Sequence, residues 1–356
     1  MILIINKNRE FVVAPQQKFF LAIFILLFCC FPIRNSYAEY NKLIPLDHWA
    51  YPYLDRLINK QVLTDLPLND RPYTVSEVAD ALLKADAIPE NDKWMFDYLM
   101  EEFVDTTSTE PAADSARLPW LTFRTSLLDI YRERDNNLRG RAQLDLGYIA
   151  SENFTFAGRI AAQNDAIPDT SFGGISERGF MVEVKSGYLV FDRSFIRVIA
   201  GRFPSVWGAA RENSLVLNQQ GPNADKLEAH FEWNELYYKF FVGAFSDVKT
   251  PAGQIIKRYY HTHRLVKNFS RVSLGLTEHI IYGGNSVPPN FAYLNPFIPF
   301  YASIQNRGDI NAANYLLSLD ASLLAGNGHR FYLEFLLDDF QFDKESWDKA
   351  PNSLGW

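Results

Sequence analysis

The chain is short of sulfur. It has two cysteines, Cys29 and Cys30, both in one apolar stretch near the amino terminus. Once that stretch is removed no thiol is left, which excludes disulfides and cysteine-ligated metals from the rest. After residue 38 the chain also lacks any run near the roughly 18 apolar residues of a spanning helix. Any membrane embedding beyond that point must be by strands. Positive charge is scarce too: 35 Lys and Arg stand against 42 Asp and Glu, a formal net charge of −7. Lys7, Arg9, Lys18 and Arg34 fall in the first 38 residues against Glu10 alone, so the remainder is more negative still. That argues against nucleic acid, whose phosphates need clustered Lys and Arg.

What is plentiful is aromatic: Phe, Trp and Tyr make up 15% of the chain. An outward apolar band with aromatic girdles produces such an excess; a large soluble β-protein with a thick core is the alternative. Residues 1–38 read as a signal peptide. Lys7, Arg9 and Lys18 form its basic region, Phe19 to Phe31 its apolar run, and Ser36-Tyr37-Ala38 its cleavage site. Phe28 before Cys29 argues against a lipoprotein-type cleavage.

Residues 39–104 read as a helical domain. Tyr53, Leu54, Leu57, Ile58 and Val62 recur at helical spacing after Pro52. Thr74-Val75-Ser76-Glu77 has the form of a capping box opening a second helix, with Val78, Ala81, Leu82 and Ala85 as its apolar stripe. A third helix is expected from Glu90, with Trp94, Met95, Leu99 and Phe103 on one side. Residues 105–117, rich in Thr, Ser, Ala and Pro, read as a linker.

From residue 118 to 356 the pattern changes to strands. In 140–150, Ala142, Leu144, Leu146 and Tyr148 fall on one face and Arg141, Gln143 and Asp145 on the other. Similar alternation runs through Phe154–Ile160, Leu227–Trp233, Tyr315–Ser322 and Arg330–Asp338, broken at Ile199, Phe241 and Leu336. About eleven candidate strands result, most near the roughly 10 residues a tilted membrane strand needs. The fold class expected is mainly β: an antiparallel outer-membrane β-barrel, preceded by a small α-helical bundle. Two stretches lack alternation, 203–225 and 282–311, and are expected as extracellular loops or as segments folded into the lumen. The polar run with Pro351 before Trp356 suggests that the sequence stops before the barrel closes.

At Gly201-Arg-Phe-Pro-Ser-Val-Trp-Gly-Ala-Ala-Arg-Glu-Asn-Ser-Leu-Val-Leu217 the chain resembles the Wzi family of capsule-assembly proteins. Leu274-Gly-Leu-Thr-Glu-His-Ile-Ile-Tyr-Gly-Gly284, Tyr293-Leu-Asn-Pro-Phe-Ile-Pro-Phe300 and Glu334-Phe-Leu-Leu-Asp-Asp-Phe340 continue the resemblance. So do Pro45-Leu-Asp-His-Trp-Ala-Tyr51 and Arg71-Pro-Tyr73. The resemblance implies an outer-membrane barrel of a Gram-negative bacterium with its helical bundle in the periplasm. It implies a lectin-like, non-catalytic anchor for capsular polysaccharide.

Candidate chemistry is sparse. Trp207, Arg211, Glu212 and Asn213 form the densest polar-aromatic cluster in a loop, and Tyr293 and Tyr301 join them as candidate polysaccharide contacts. Aromatic faces stack on sugars, and Arg, Glu and Asn bind hydroxyls or carboxylates. The alternative is that Trp207 and Arg211 pin a loop inside the barrel. His261 and His263 share a strand face but lack a third ligand at metal spacing, so no metal is expected. Asp338 and Asp339 face opposite sides of a strand, a poor acid/base pair. No Gly-x-Ser-x-Gly elbow is present. No cofactor and no enzymatic activity are expected; the expected partners are capsular polysaccharide and outer-membrane lipid, around a monomer. The competing readings are a porin for small solutes and an outer-membrane enzyme acting on glycan or lipid.

Overall fold

The computed structural model describes residues 41–105, 119–132, 135–151, 153–164, 175–177, 180–193, 195–218, 224–285, 287–305, 313–338 and 352–355. It also describes 4–5 and 11–12, which form a short antiparallel pair. The expected leader and linker otherwise lie outside the described residues, as does Asp339.

Three short helices share one core: α1 (Ala50–Asn59), α2 (Val75–Leu83) and α3 (Lys93–Met100). Leu54, Leu57 and Ile58 of α1 meet Val78, Ala81 and Leu82 of α2 there. The capping box at the start of α2 forms as expected. Glu77 N donates to Thr74 Oγ1 at 3.2 Å, and Thr74 N donates to Glu77 Oε2 at 2.7 Å. On α3 the core side chains are Met95, Phe96 and Leu99. Trp94, expected there, points outward instead and meets Tyr53 edge-on. The buried stripe is centred between Met95, Phe96 and Leu99, and at about 100° per residue Trp94 falls about 200° from Phe96, outside it.

Between α1 and α2 lies β1 (Asp70–Arg71). The rest is one antiparallel sheet. Its strands are β2 (Pro119–Arg132), β3 (Asp135–Ser151), β4 (Phe154–Asn164), the short β5 (Ile175–Glu177), β6 (Phe180–Arg193) and β7 (Ile196–Arg202). After β8 (Val206–Trp207), which pairs with β1, the sheet resumes. It continues with β9 (Asp225–Trp233), β10 (Leu236–Lys249), β11 (Ile255–Asn268) and β12 (Val272–Asn285). Beyond α4 (Phe300–Gln305) come β13 (Ala313–Ala325), β14 (His329–Asp338) and β15 (Asn352–Gly355). Each strand pairs with its sequence neighbours, β5 hanging off β6, and β2 and β15 form the two unpaired edges. Among the described residues the barrel is therefore not closed.

The two faces differ as the alternation predicts. Leu227, Leu265, Leu274, Leu276, Leu319 and Leu323 are exposed on the outer face. Thr277, Ser318, Asp320, Ser322, Glu228 and Arg264 are buried on the inner one. On β3, Asp145 is buried inward and Tyr148 exposed outward, the facing read from the sequence. A bulge on β6 skips Lys185 and flips the parity, so that Val182 and Val184 face out before it and Leu189 after it. This is what an extra residue does to a two-residue period.

The sheet curls around the helical segment. Asp47 of that segment reaches Arg159 on β4, Glu77 reaches Arg197 on β7, and Asn69 reaches Asp320 on β13. No flat sheet puts strands so far apart in order around one small body. The helices sit at one end: Leu324 joins their core, and Lys60 lies against Gly328 in the β13–β14 turn. Five short turns lie at this end, at 152–153, 194–195, 234–235, 269–271 and 326–328, while the hairpins after Arg132 and Lys249 turn at the other. The long connections at 165–179, 203–224 and 286–312 leave from the opposite end.

Candidate functional site

The inner face is built as a set of ion locks between wall and plug. Asp70 of β1 accepts from Arg264 Nε at 2.9 Å and lies 3.4 Å from Lys239 Nζ. Arg264 also donates to Asp320 at 2.6 and 3.1 Å and to Thr277 at 2.8 Å. Gly275 makes the room: a Cβ there would stand 2.2 Å from Asp320 Oδ2 and 2.8 Å from Arg264 Nη1. Asn69 donates to Asp320 at 2.9 Å and accepts from Ser322 at 2.8 Å and Arg330 at 2.6 Å. Asn69, Asp70, Arg264 and Asp320 thus partner one another, as burial demands. Burial alone would raise the Asp70 carboxyl; the charges of Arg264 and Lys239 outweigh it and hold it below the usual range.

Two further locks stand nearer the rim. Arg197 donates to Glu77 and Asp192, each at 2.7 Å. Arg159 donates to Asp145 at 2.6 Å and to Asp47 at 3.1 Å. For Glu77, burial opposes ionisation, but the Arg197 charge and the Thr74 N–H hold its carboxyl low. Of Arg159, Arg197, Glu228, Glu232 and Lys239, expected from the alternation as a solvated wall, Arg159, Arg197 and Lys239 pair with the helical segment and Glu228 with Lys226 on its own strand, while Glu232 is exposed.

The first long break folds inward. β8 pairs with β1, so this loop and the helical segment form one body. Trp207 is fully buried; Phe241 meets it edge-on at 5.4 Å, and Lys239 Nζ stands 5.9 Å from its ring centre. Buried Glu334 on β14 holds the loop from below. It accepts from Ala210 N at 2.8 Å, Leu215 N at 2.7 Å and Ser214 Oγ at 3.1 Å. Gly208 has φ +116°, and a Cβ there would stand 2.4 Å from Glu334 Oε1. Glycine is therefore required both by conformation and by space. Arg211, in a left-handed conformation, pairs with Asp55 of α1, which also pairs with Arg71.

The second long break goes to the opposite face. Tyr293 packs with Tyr282 and Phe300, and Tyr301 meets Tyr315, all on the outer wall. The expected six-residue cluster is therefore split. Trp207, Arg211 and Asn213 belong to the inner loop, with Asn213 exposed, while Tyr293 and Tyr301 lie across the sheet from it. The backbone of Glu212 lies in the same turn as Arg211, and its side chain is outside the described residues. Trp207 has no free ring face to offer a sugar and acts as the loop's pin. Sequence reasoning missed Asn69, Asp70, Arg264, Asp320 and Glu334. Charged residues at inward positions of apolar strands were the available signal.

The histidines share a face, the outer one. His261 Nε2 is 2.9 Å from Tyr282 Oη, and His263 Nδ1 is 3.6 Å from Glu278. Among the described residues no group of three His, Cys, Asp or Glu could hold a metal ion.

An antiparallel meander with an apolar outer face and a charged, occupied inner face defines the class: an outer-membrane-type β-barrel. Among solved structures, the chain is similar to Wzi, described as an outer-membrane protein involved in group 1 capsule assembly in Escherichia coli and as a carbohydrate-binding β-barrel. The TM-score is 0.56 at 14% identity, over 84% of this chain and 64% of that one. The likeness is one of fold, and the chain spans under two thirds of its neighbour's length. Two structures of OmpT, an outer-membrane protein of Vibrio cholerae, match at TM-score 0.30 with 9% and 10% identity. They cover 62% and 69% of this chain and 78% and 81% of theirs, a likeness that carries no argument. No protein-family model matches the sequence, and no curated protein matches it.

Proposed function

We propose that this chain is a non-catalytic outer-membrane protein that anchors or assembles capsular polysaccharide at the cell surface. The observation that carries the reading is the plug: the helical segment and the 203–218 loop occupy the inner face and are locked there by buried ion pairs. A diffusion pore needs that space open and lined with solvated charge. The likeness to a carbohydrate-binding barrel supplies the ligand class. Short turns face the periplasm in bacterial barrels, so the helical segment, which caps the short-turn end, is assigned to the periplasm. Arg211, Glu212 and Asn213 remain the proposed saccharide contacts of the inner loop; Tyr293, buried on the outer wall, and Tyr301 beside it are left out of that set.

Deletion of the gene in an encapsulated host tests this reading. Polymer should move from the cells to the medium while its total amount holds. Unchanged attachment would overturn the anchor function. In planar bilayers the purified protein should give no steady ohmic conductance; porin-like conductance would replace the anchor by a channel.

A further inference from the structure

The outer wall of β10–β12 breaks its own rule. Tyr238, Tyr259, His261, His263, Glu278 and Tyr282 all point outward, on the face where neighbouring positions carry Leu265, Leu274 and Leu276. Polar groups on a lipid-facing wall are costly. Here they are covered by a strap, residues 287–305, that leaves β12 and folds back down the wall.

The wall's polar groups satisfy the strap's backbone. Tyr259 Oη donates to Val287 O at 3.0 Å, Tyr238 Oη donates to Pro296 O, and Tyr282 Oη accepts from Asn290 N at 2.9 Å. Glu278 accepts from Phe300 N at 3.1 Å, and Phe300 stacks on His263 at 4.0 Å. Within the strap, Asn290 Oδ1 accepts from Ala292 N and Asn295 Oδ1 from Phe297 N. Pro288, Pro289, Pro296 and Pro299 have no N–H to satisfy. Irregular backbone is excluded from lipid because its polar groups go unpaired; this strap meets that objection with protein partners. Its far side carries Phe291 and Phe297, 83% and 82% exposed, and Ile298 beside them. That surface continues the apolar belt of the wall.

We propose that the 287–305 strap lies in the membrane, clamped to the wall from Tyr259 down to Tyr238 near the short-turn end of β10, and presents Phe291, Phe297 and Ile298 to lipid acyl chains. The inference rests on the outer-membrane reading above.

The test uses the full chain with Cys29→Ser and Cys30→Ser, carrying one new cysteine labelled with a bimane. Phe297→Cys reports the strap, Leu276→Cys the bare wall, and Ala252→Cys the exposed turn between β10 and β11. Each is reconstituted in phosphatidylcholine vesicles, with or without acyl-brominated lipid, and titrated with iodide. The strap and wall labels should lose emission to brominated lipid and resist iodide, and the turn label should do the reverse. If the wall label is quenched by brominated lipid and the strap label by iodide, the strap stands in water and the proposal fails while the membrane reading survives. If the strap label resists both, another protein surface covers it and the proposal fails. If the wall label itself resists brominated lipid, the membrane reading fails and takes the strap with it. Phe291→Cys, at an equally exposed position, must repeat the Phe297→Cys result.

Discussion

The two long breaks in the strand pattern, 203–224 and 286–312, look alike in sequence and end on opposite faces of the sheet. Both combine aromatics with glycine or proline, and both leave from the end away from the helices. Each has a carboxylate on a strand among its anchors. Glu334 points inward and accepts Ala210 N and Leu215 N; Glu278 points outward and accepts Phe300 N and the Tyr315 hydroxyl. The face of the anchor is set by strand parity alone, and the loop follows the anchor. An irregular segment beside a sheet needs backbone partners, so an isolated carboxylate among apolar strand residues marks where one comes to rest.

The inner face should be the less forgiving. Arg264→Ala removes the guanidinium shared by Asp70 and Asp320 and leaves two buried carboxylates with only Lys239 at 3.4 Å and the Asn69 amide to offset them. Breaking one side of a buried pair costs about 3–5 kcal/mol. The expected outcome is a plug that undocks, read as protease cleavage between residues 41 and 105 in a barrel that still shows heat-modifiable migration on gels. Wild-type protease resistance would mean that the lock carries no docking energy. On the outer face the next largest effect comes from Leu144→Arg, which sets a charge against lipid at a cost of about 2–4 kcal/mol. Insertion should fall sharply, while Gln143→Arg on the inner face, beside Asp145, should insert normally. Equal behaviour of the two would remove the distinction between faces on β3.

The contrast of faces was legible in the sequence because it depends on neighbours two residues apart. Thr74 and Glu77 were legible as a capping box for the same reason, being three apart. Even the exceptions carried information. Ile199 and Phe241, which interrupt the alternation, are inward apolar residues at docking points, Ile199 in a cluster with Leu43 and Phe241 against Trp207. What could not be read was the partner of each inward or outward group. Glu334 meets its loop more than a hundred positions away, and Asn69 meets Asp320 across most of the chain. The candidate cluster failed as a unit on the same ground. Trp207 and Tyr293 were grouped by composition, whereas the fold sorted them by the side from which their anchors point. Trp94 shows the limit at short range: helical spacing allowed it or Phe96 into the core, and packing chose Phe96.

A middle-sized effect would test the two anchors against each other. Glu334→Ala strips two backbone N–H groups, Ala210 and Leu215, of their acceptor in a buried setting, and each unsatisfied group costs about 1–3 kcal/mol. Glu278→Ala strips one backbone N–H, that of Phe300, at a less buried site, and a Tyr315 hydroxyl that can rotate. Glu334→Ala should therefore lower the midpoint of thermal unfolding more, and it alone should raise cleavage near residues 208–215. Glu278→Ala should instead expose the strap around Phe297 to protease. Gain of the same cleavage site in both variants would show that the two segments are not independently held.

The smallest expected effect is at the rim of the plug, and it has a pH signature. Glu77 does two things: its Oε2 accepts from Thr74 N within the capping box, and its Oε1 accepts from Arg197 across the junction. Glu77→Gln keeps a side chain that can complete the box and removes the charge that Arg197 needs. The loss should be about 1 kcal/mol, the scale of one net hydrogen bond. Because the folded Glu77 carboxyl is held below its unfolded value of about 4.3, its contribution is fully present above that pH. It fades as pH falls through the folded value, where both states bind the proton. Unfolding midpoints of wild type and Glu77→Gln should thus differ at pH 7 and converge in acid. Asp70 titrates in both proteins and cancels in the difference. A gap that stays constant down to pH 2 would mean that Glu77 acts through its shape in the helix cap, and that the Arg197 pair contributes nothing to holding the helical segment in place.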